Sequence, residues 1–328
     1  MTSNRLTYFE DYNIIDKICL ERNIQTKTRE TYLQTVDHYT ELFNQSFTSL
    51  TRLYYQEEED IVWKKRTLKN HLIAYRNYLY NTFMPNTARI YFGKLLTILR
   101  HMELELGQLP KLNNKNTNEL PPITYEQLPT KSEIENAYHI ANPVMKAVIL
   151  FISSSGCARK ECMNLTVKDY LEANDVKIND KPVKTLLLKV DGSYIPCFRI
   201  KRQKTNKFYF TYCSPQANQE ILEYLINREK LTLGSPVFDL NYYYWNKYFD
   251  EINSRLEMGT ARKFNRFRSH MLRKYHASTL YNNGMGVTDI DDLQGRSKDS
   301  THQSYFMEDP ELLKKKYKAH MDCLLLEV

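Results

Sequence analysis

The chain has 328 residues, enough for two domains. With 42% hydrophobic and 26% charged residues it has the composition of a globular protein, which excludes a disordered one. Lys and Arg number 46 against 39 acids, a net charge of +7 that favours a polyanionic partner, since each phosphate contacted by a cation releases counterions.

The N-terminus carries no basic-then-apolar leader. The longest apolar stretch, Val144 to Ile152, is interrupted by Lys146 and is too short to span a bilayer. A cytoplasmic protein without membrane contact is expected. Its six cysteines (Cys19, Cys157, Cys162, Cys197, Cys213, Cys323) show no pairing rhythm and no Cys-x-x-Cys. They read as reduced packing thiols, with no metal site and no cofactor implied.

The first third reads as helical. From Thr26 to Phe43, residues Tyr32, Val36, Tyr39, Leu42 and Phe43 share one helical face. Leu68, Leu72, Tyr75 and Leu79 make a second stripe; Asn86-Thr87 can cap a third helix bearing Tyr91, Leu95, Ile98 and Met102. Arg66, Lys69, Arg76, Arg89 and Lys94 interleave with these stripes. A solvated face and a DNA-contacting face fit them equally. Residues 108–127 hold three prolines and four asparagines with little apolar periodicity, the composition of a linker between domains at 1–107 and 128–328.

Beyond the linker, Thr130 and Glu133 form a capping box. Pro143 opens an apolar helix that Gly156 ends, and a short helix is expected from Glu161 to Leu165. Residues 184–213 read at period two. Leu186 to Val190, an Asp191-Gly192 turn and Ile195 to Ile200 predict a hairpin, with Phe208, Phe210 and Tyr212 in a third strand. Ser214-Pro215 caps the next helix, and another carries Tyr244, Trp245, Tyr248, Phe249 and Ile252. Further helices are expected over about 268–282, 288–294 and 310–326. Ser269 is the expected cap of the first and Asp309 of the last, with Pro310 in the last one's opening turn.

The chemistry concentrates near the end. His270 and Arg273 are three apart on one helix face. Gly295-Arg296 follows, and Tyr305 stands nine positions beyond Arg296. Upstream lie Arg159 and Lys204. Three arginines, a lysine, an imidazole and a phenol suit attack of a tyrosine on a DNA phosphodiester: fixed cations lower the barrier as the phosphate gains charge, and a tyrosyl ester retains the cut strand. Each piece alone is common. Tyrosine is abundant here at 25 residues, so Tyr305 rests on its neighbours.

In its boxes the chain resembles the tyrosine recombinases, the class of phage-type integrases and chromosome-dimer resolvases, with a style nearest the integrases of archaeal viruses and proviruses. The resemblance covers residues 128–310, and the helical first third more loosely. Ser155 to Leu165 is similar to the first-arginine box, Lys204 to Lys207 to the catalytic-lysine turn, and His270 to Arg273, Leu293 to Arg296 and Tyr305 to the C-terminal block. Two departures stand out. Ala158 occupies the usual arginine position, with Arg159 one place later. Arg296 stands where the family usually has His or Trp.

The resemblance implies a mixed, mainly α fold: a helical, SAM-like core-binding domain and an α+β catalytic domain with a small antiparallel sheet. It implies site-specific recombination through a 3′-phosphotyrosine and a free 5′-hydroxyl. The partners it implies are duplex DNA, a tetramer on that DNA and accessory directionality factors, in the nucleoid of a prokaryotic host or its virus. The implied catalytic set is Arg159, Lys204, His270, Arg273, Arg296 and the nucleophile Tyr305. Arg159, Arg273 and Arg296 would hold the phosphate oxygens, His270 would accept the phenolic proton, and Lys204 would protonate the departing 5′ oxygen.

Lys201 and Lys207 compete with Lys204 and are otherwise DNA-binding candidates; Lys204 is preferred because it leads the turn. Glu161 would orient a cation or complement a helix dipole. His276 reads as structural, and His302 as solvent-facing. The last helix is expected slightly in favour of docking on a neighbouring protomer over packing on its own domain. A type IB topoisomerase, a helix-turn-helix regulator built on residues 270–296, and an inactivated family member are the rival readings.

Overall fold

A computed structural model of the protein describes residues 6–112, 121–202, 206–296 and 309–328. The chain divides into two units, Met1–Pro121 and Pro122–Val328.

The first unit is helical: α1 (Asp11–Glu21), α2 (Thr26–Phe43), α3 (Phe47–Asp60), α4 (Thr67–Thr82) and α5 (Pro85–His101). Apolar spacing explains the burial. Tyr32, Val36 and Tyr39 of α2 and Leu68, Leu72, Tyr75 and Leu79 of α4 are almost fully buried. The core is rich in tyrosine, and each deep hydroxyl has a partner, as burial of a polar group requires. Tyr39 and Tyr54 share a 2.7 Å bond, Tyr54 meets His71 Nδ1 at 2.7 Å, and Tyr75 donates to the Thr35 carbonyl at 3.1 Å. Buried Asp11 caps α3, accepting from the amides of Phe47 and Thr48 at 2.8 and 2.9 Å. The fifth helix begins at Pro85, not at an Asn86-Thr87 cap; proline suits a first helical position, where no amide donor is needed.

Two of the five DNA-binding candidates in this unit are buried. Arg66 pairs with Glu105 at 2.7 Å and donates to the Ile61 carbonyl at 2.6 Å. Arg76 donates to the Pro110 carbonyl at 2.8 Å and lies over Phe92. Both are held by partners within this unit. Lys69 and Lys94 are half-buried, Lys94 over the Tyr32 ring, and Arg89 is exposed. The start of the expected linker is also packed: Trp63 Nε1 donates to the Gln108 carbonyl at 3.2 Å.

The second unit is built around α7 (Pro143–Ser155), buried from Met145 onward save Lys146. Asn142 caps its start, and Gly156 ends it in the left-handed region (φ 65°). Its closing serines return their hydroxyls to carbonyls four residues back, satisfying polar groups that face the core. Before it comes α6 (Lys131–Ile140), opened by the Thr130–Glu133 capping box. After it come α8 (Arg159–Asn164), α9 (Val167–Ala173) and α10 (Val183–Leu187).

The last of these is a correction. Residues 186–190 are not a strand, because Val183, Leu186, Leu187 and Val190 recur at helical spacing and turn one face inward. Leu188, which a strand would have paired, is exposed. The hairpin is instead β1 (Cys197–Lys201) against antiparallel β2 (Phe208–Tyr212), in register Cys197↔Tyr212 to Lys201↔Phe208. Its inward residues on β2 include Tyr209 and Thr211, not the exposed Phe208.

Then follow α11 (Pro215–Ile226), α12 (Tyr242–Arg255), a two-residue pair β3 (Thr260–Ala261) and β4 (Phe264–Asn265), α13 (Ser269–Asn282), α14 (Val287–Leu293) and α15 (Pro310–His320). The helix after Asp309 stops at His320 and passes into a 3₁₀ turn. In the single chain it packs on its own unit. Tyr317 is fully buried and donates to the Ser154 carbonyl at 2.9 Å, Leu313 and Leu324 join the core, and Gln216 holds the Leu326 carbonyl at 2.6 Å. The architecture is mainly helical with small antiparallel sheets. Among the described residues no helix is long and apolar enough to cross a membrane. All six cysteines are free.

Candidate active site

The site forms where α7 ends, α13 begins and α14 ends. Gly156 turns the chain out of α7, so its carbonyl points back toward α13. Arg273 takes that carbonyl with Nη1 and the Gln294 carbonyl with Nη2 at 2.7 Å. Glu161 Oε2 lies 3.9 Å from Arg273 Nη1. The same oxygen accepts from the Ala158 amide at 2.9 Å, closing the first turn of α8, and from the Tyr209 hydroxyl at 2.8 Å. Glu161 therefore serves both readings given to it, fixing a helix start and facing a buried guanidinium. Arg273 is only 8% exposed, so its charge is held by oxygens on one side and is poorly solvated on the other.

Behind Arg273 sits a polar pair. Gln294 Nε2 donates to the Arg273 carbonyl at 3.0 Å and meets His276 Nδ1 at 2.9 Å. Burial, then the charges of Arg273 and Arg296, depress His276 to about 3, so it is a neutral structural imidazole. Gly156 is required here for space as well as conformation, since a Cβ would lie 2.5 Å from His276 Nδ1 and 2.7 Å from Gln294 Nε2. Gly295 (φ 56°) likewise lets the Tyr209 ring lie against the backbone.

His270 stands in the first turn of α13, whose cap position is Arg268 with no side-chain cap, instead of Ser269. Its pKa is lowered by desolvation and then by Lys274, Arg268, Arg273 and Arg296. Lys274 is lowered by burial and by Arg262, Arg268 and Arg296. So many cations depressing one another mark a place that an anion would stabilise. Arg296 is exposed and pairs with Asp291 at 3.0 Å.

Not every expected residue joins this network. Arg159 leaves α8 toward α12: it donates to Asn246 Oδ1 at 2.7 Å and to the Tyr242 hydroxyl at 3.0 Å, with its guanidinium 4.2 Å from the Tyr242 ring centre. Lys201 and Lys207 are exposed on the hairpin. Lys204, His302 and Tyr305 lie outside the described residues. Among the described residues no group of three or more His, Cys, Asp or Glu side chains is placed to hold a metal ion.

A model of the Phage integrase family matches residues 128–311, more than half of the sequence. The chain belongs to that family. Among solved structures, the phage integrase family chain is similar to the Tn1549 transposon integrase in complex with circular intermediate DNA. The TM-score is 0.55 at 13% identity, over 95% of this chain and 99% of that one. It is similar to a lambda integrase dimer bound to a COC′ core site, TM-score 0.54 at 13% identity, over 91% and 98%. It is also similar to the XerH site-specific recombinase bound to difH substrate in a pre-cleavage complex, TM-score 0.53 at 17% identity, over 92% and 82%. At such identities the likeness is one of fold. No curated protein matches the sequence.

In this integrase-family chain the sequence pointed to His270, Arg273, Glu161 and Arg296, and passed over Gln294, Tyr209 and Arg202. Arg202 Nη1 donates to the Gln294 carbonyl at 2.8 Å. The available signal was phase: Arg202 follows buried Phe198 and Ile200 at steps of two, and so leaves the strand on its inward side.

Proposed function

We propose that the chain is a site-specific DNA recombinase that cleaves and rejoins strands through Tyr305, integrating or excising a mobile element. The observation that carries this reading is the buried Arg273, held by two carbonyls and Glu161, with His270 one turn before it amid further cations.

The reaction follows from charge. The Tyr305 oxygen attacks the phosphorus, a P–O bond forms to tyrosine, and the bond to the 5′ oxygen breaks. Negative charge grows on the non-bridging oxygens, and Arg273 meets it without reorganisation; one such donor contributes roughly 3 kcal/mol. A phenol with an ordinary pKa near 10 must lose its proton. His270, kept neutral by burial and its cationic neighbours, accepts that proton. Arg296 swings from half-buried Asp291 to the phosphate and remains charged throughout. Lys204 gives its proton to the leaving 5′ oxygen. Attack by another 5′-hydroxyl reverses each step, so the ester retains the bond energy.

The helical unit serves as the core-binding domain, with Lys69, Arg89 and Lys94 contacting DNA phosphates together with Lys201 and Lys207 of the hairpin. Four copies act on two sites, with accessory factors setting direction, at the nucleoid of a prokaryotic host or its virus.

The test is covalent capture. Wild-type protein is mixed with a pool of nicked duplexes of randomised sequence, and adducts surviving SDS are sequenced. The expected result is a selected crossover sequence esterified to Tyr305, with Tyr305→Phe binding the same duplex and trapping none. An adduct through another side chain, or none, refutes the reading and leaves a DNA-binding protein.

A further inference from the structure

Attack on a phosphodiester leaves charge on two non-bridging oxygens, so one guanidinium is half of a clamp. Arg159, which the first-arginine box offers as the other half, is spent on Asn246 and Tyr242 of α12. At the box's usual arginine position stands Ala158, which has no side chain beyond Cβ to reach the phosphate.

Another guanidinium stands beside Arg273. Arg202 and Arg273 donate to the same oxygen, the Gln294 carbonyl, at 2.8 and 2.7 Å. Their two nitrogens are therefore no more than 5.5 Å apart, the two bonds laid end to end. Two like charges on one neutral acceptor repel, and a doubly negative oxygen pair placed between them would relieve that repulsion. Arg202 also has capacity to spare: its Nε is buried and has no hydrogen-bond partner among the described residues. The strand explains how it gets there. Phe198 and Ile200 anchor β1 in the core, and Arg202, next in that phase, leaves the strand on the same side and reaches the Gln294 carbonyl.

We propose that Arg202 is the second phosphate-clamping arginine of this enzyme, a catalytic residue taking the place that Ala158 leaves open. The proposal rests on the recombinase reading above. In it Arg202 and Arg273 each hold one non-bridging oxygen, and Gln294, bound to both, sets their separation and is a positioning residue. Arg159 stays on α12.

The experiment uses the full-length chain and the duplex recovered by covalent capture, made in two forms. One carries the natural phosphodiester at the crossover; the other carries a methylphosphonate, which lacks one charged oxygen. A residue that neutralises that charge becomes dispensable when the charge is absent, whereas a structural residue does not. Arg202→Ala is expected to lose about 100-fold in single-turnover adduct formation on the phosphodiester and to recover most of it on the methylphosphonate. Arg202→Lys, which keeps a charge and the fold, should fall between. Arg159→Ala is expected to show no such recovery.

Loss on both linkages for Arg202→Ala, retention within about 3-fold on the phosphodiester, or recovery by Arg159→Ala alone would each overturn the assignment. Failure of the wild-type chain to trap any duplex sinks the recombinase reading and this assignment with it. The Arg202 pattern failing while the wild type traps DNA sinks only the assignment.

Discussion

Gly156→Ala is the sharpest test of how the site is held. The new Cβ would lie 2.5 Å from His276 Nδ1, 2.9 Å from His276 Cε1 and 2.7 Å from Gln294 Nε2. All three atoms belong to buried side chains, so none can swing into solvent. The backbone at 156 is left-handed (φ 65°), which costs a non-glycine residue about 1–2 kcal/mol. Separating His276 from Gln294 leaves buried polar atoms unmatched, for about 1–3 kcal/mol more. A total near 3 kcal/mol lowers the melting temperature of a unit this size by about 6–12 °C. Scanning calorimetry reads that shift, and single-turnover adduct formation should fall alongside it, because the Gly156 and Gln294 carbonyls orient Arg273. Adding His276→Ala removes the obstructing ring and should return part of the loss, a coupling that a purely conformational penalty would not show. A melting temperature within about 2 °C of the parent would refute the reasoning.

Three further outcomes follow from neighbouring contacts. His276 titrates near 3 when folded and at its ordinary value of 6.5 when unfolded. Between those values the unfolded chain binds more protons, so stability is complete above pH 6.5 and falls as pH drops toward 3, at up to about 1.4 kcal/mol per pH unit. His276→Phe should flatten the urea-derived stability profile between pH 4.5 and 6.5, and an unchanged slope would count against it. His270, lowered from 6.5 by burial and cations, should give a cleavage rate that rises as pH climbs through a midpoint below 6.5 and then levels. His270→Gln should lose that acid limb; a wild-type midpoint above 6.5 would rule His270 out as the base. Glu161→Gln keeps the shape of the side chain but removes the carboxylate facing Arg273. It should cost about 2 kcal/mol in denaturant titration, and a change under about 0.5 kcal/mol would show that the carbonyls alone hold Arg273.

The long helices were legible because their apolar residues repeat over many turns, as in α2 and α4, and because the Thr130–Glu133 box and Gly156 punctuate α6 and α7. Residues 183–190 were misread because a run of four to five apolar residues fits two periods, and one helical turn is too short to choose between them. In the site, His270, Arg273 and Glu161 stood out through charge and spacing. Gln294 did not, since the two guanidinium groups use its backbone carbonyl, a group every residue owns. Arg202 was hidden among Arg199, Lys201, Lys204 and Lys207, and only the phase of β1 separates it from that crowd. The destination of the last helix was unreadable because Leu313, Tyr317 and Leu324 would suit any apolar groove, their own or a neighbour's.

Gln294 anchors both guanidinium groups, and Tyr305 follows eleven positions later. A segment of that length can extend to about 38 Å. Reach and charge are thus separable properties of this molecule. In the proposed reaction the number of residues over 297–304 sets the upper limit on the distance from Gln294 to the phenol, whereas the side chain at 294, bonded to the Arg273 carbonyl, bears on the cationic cradle.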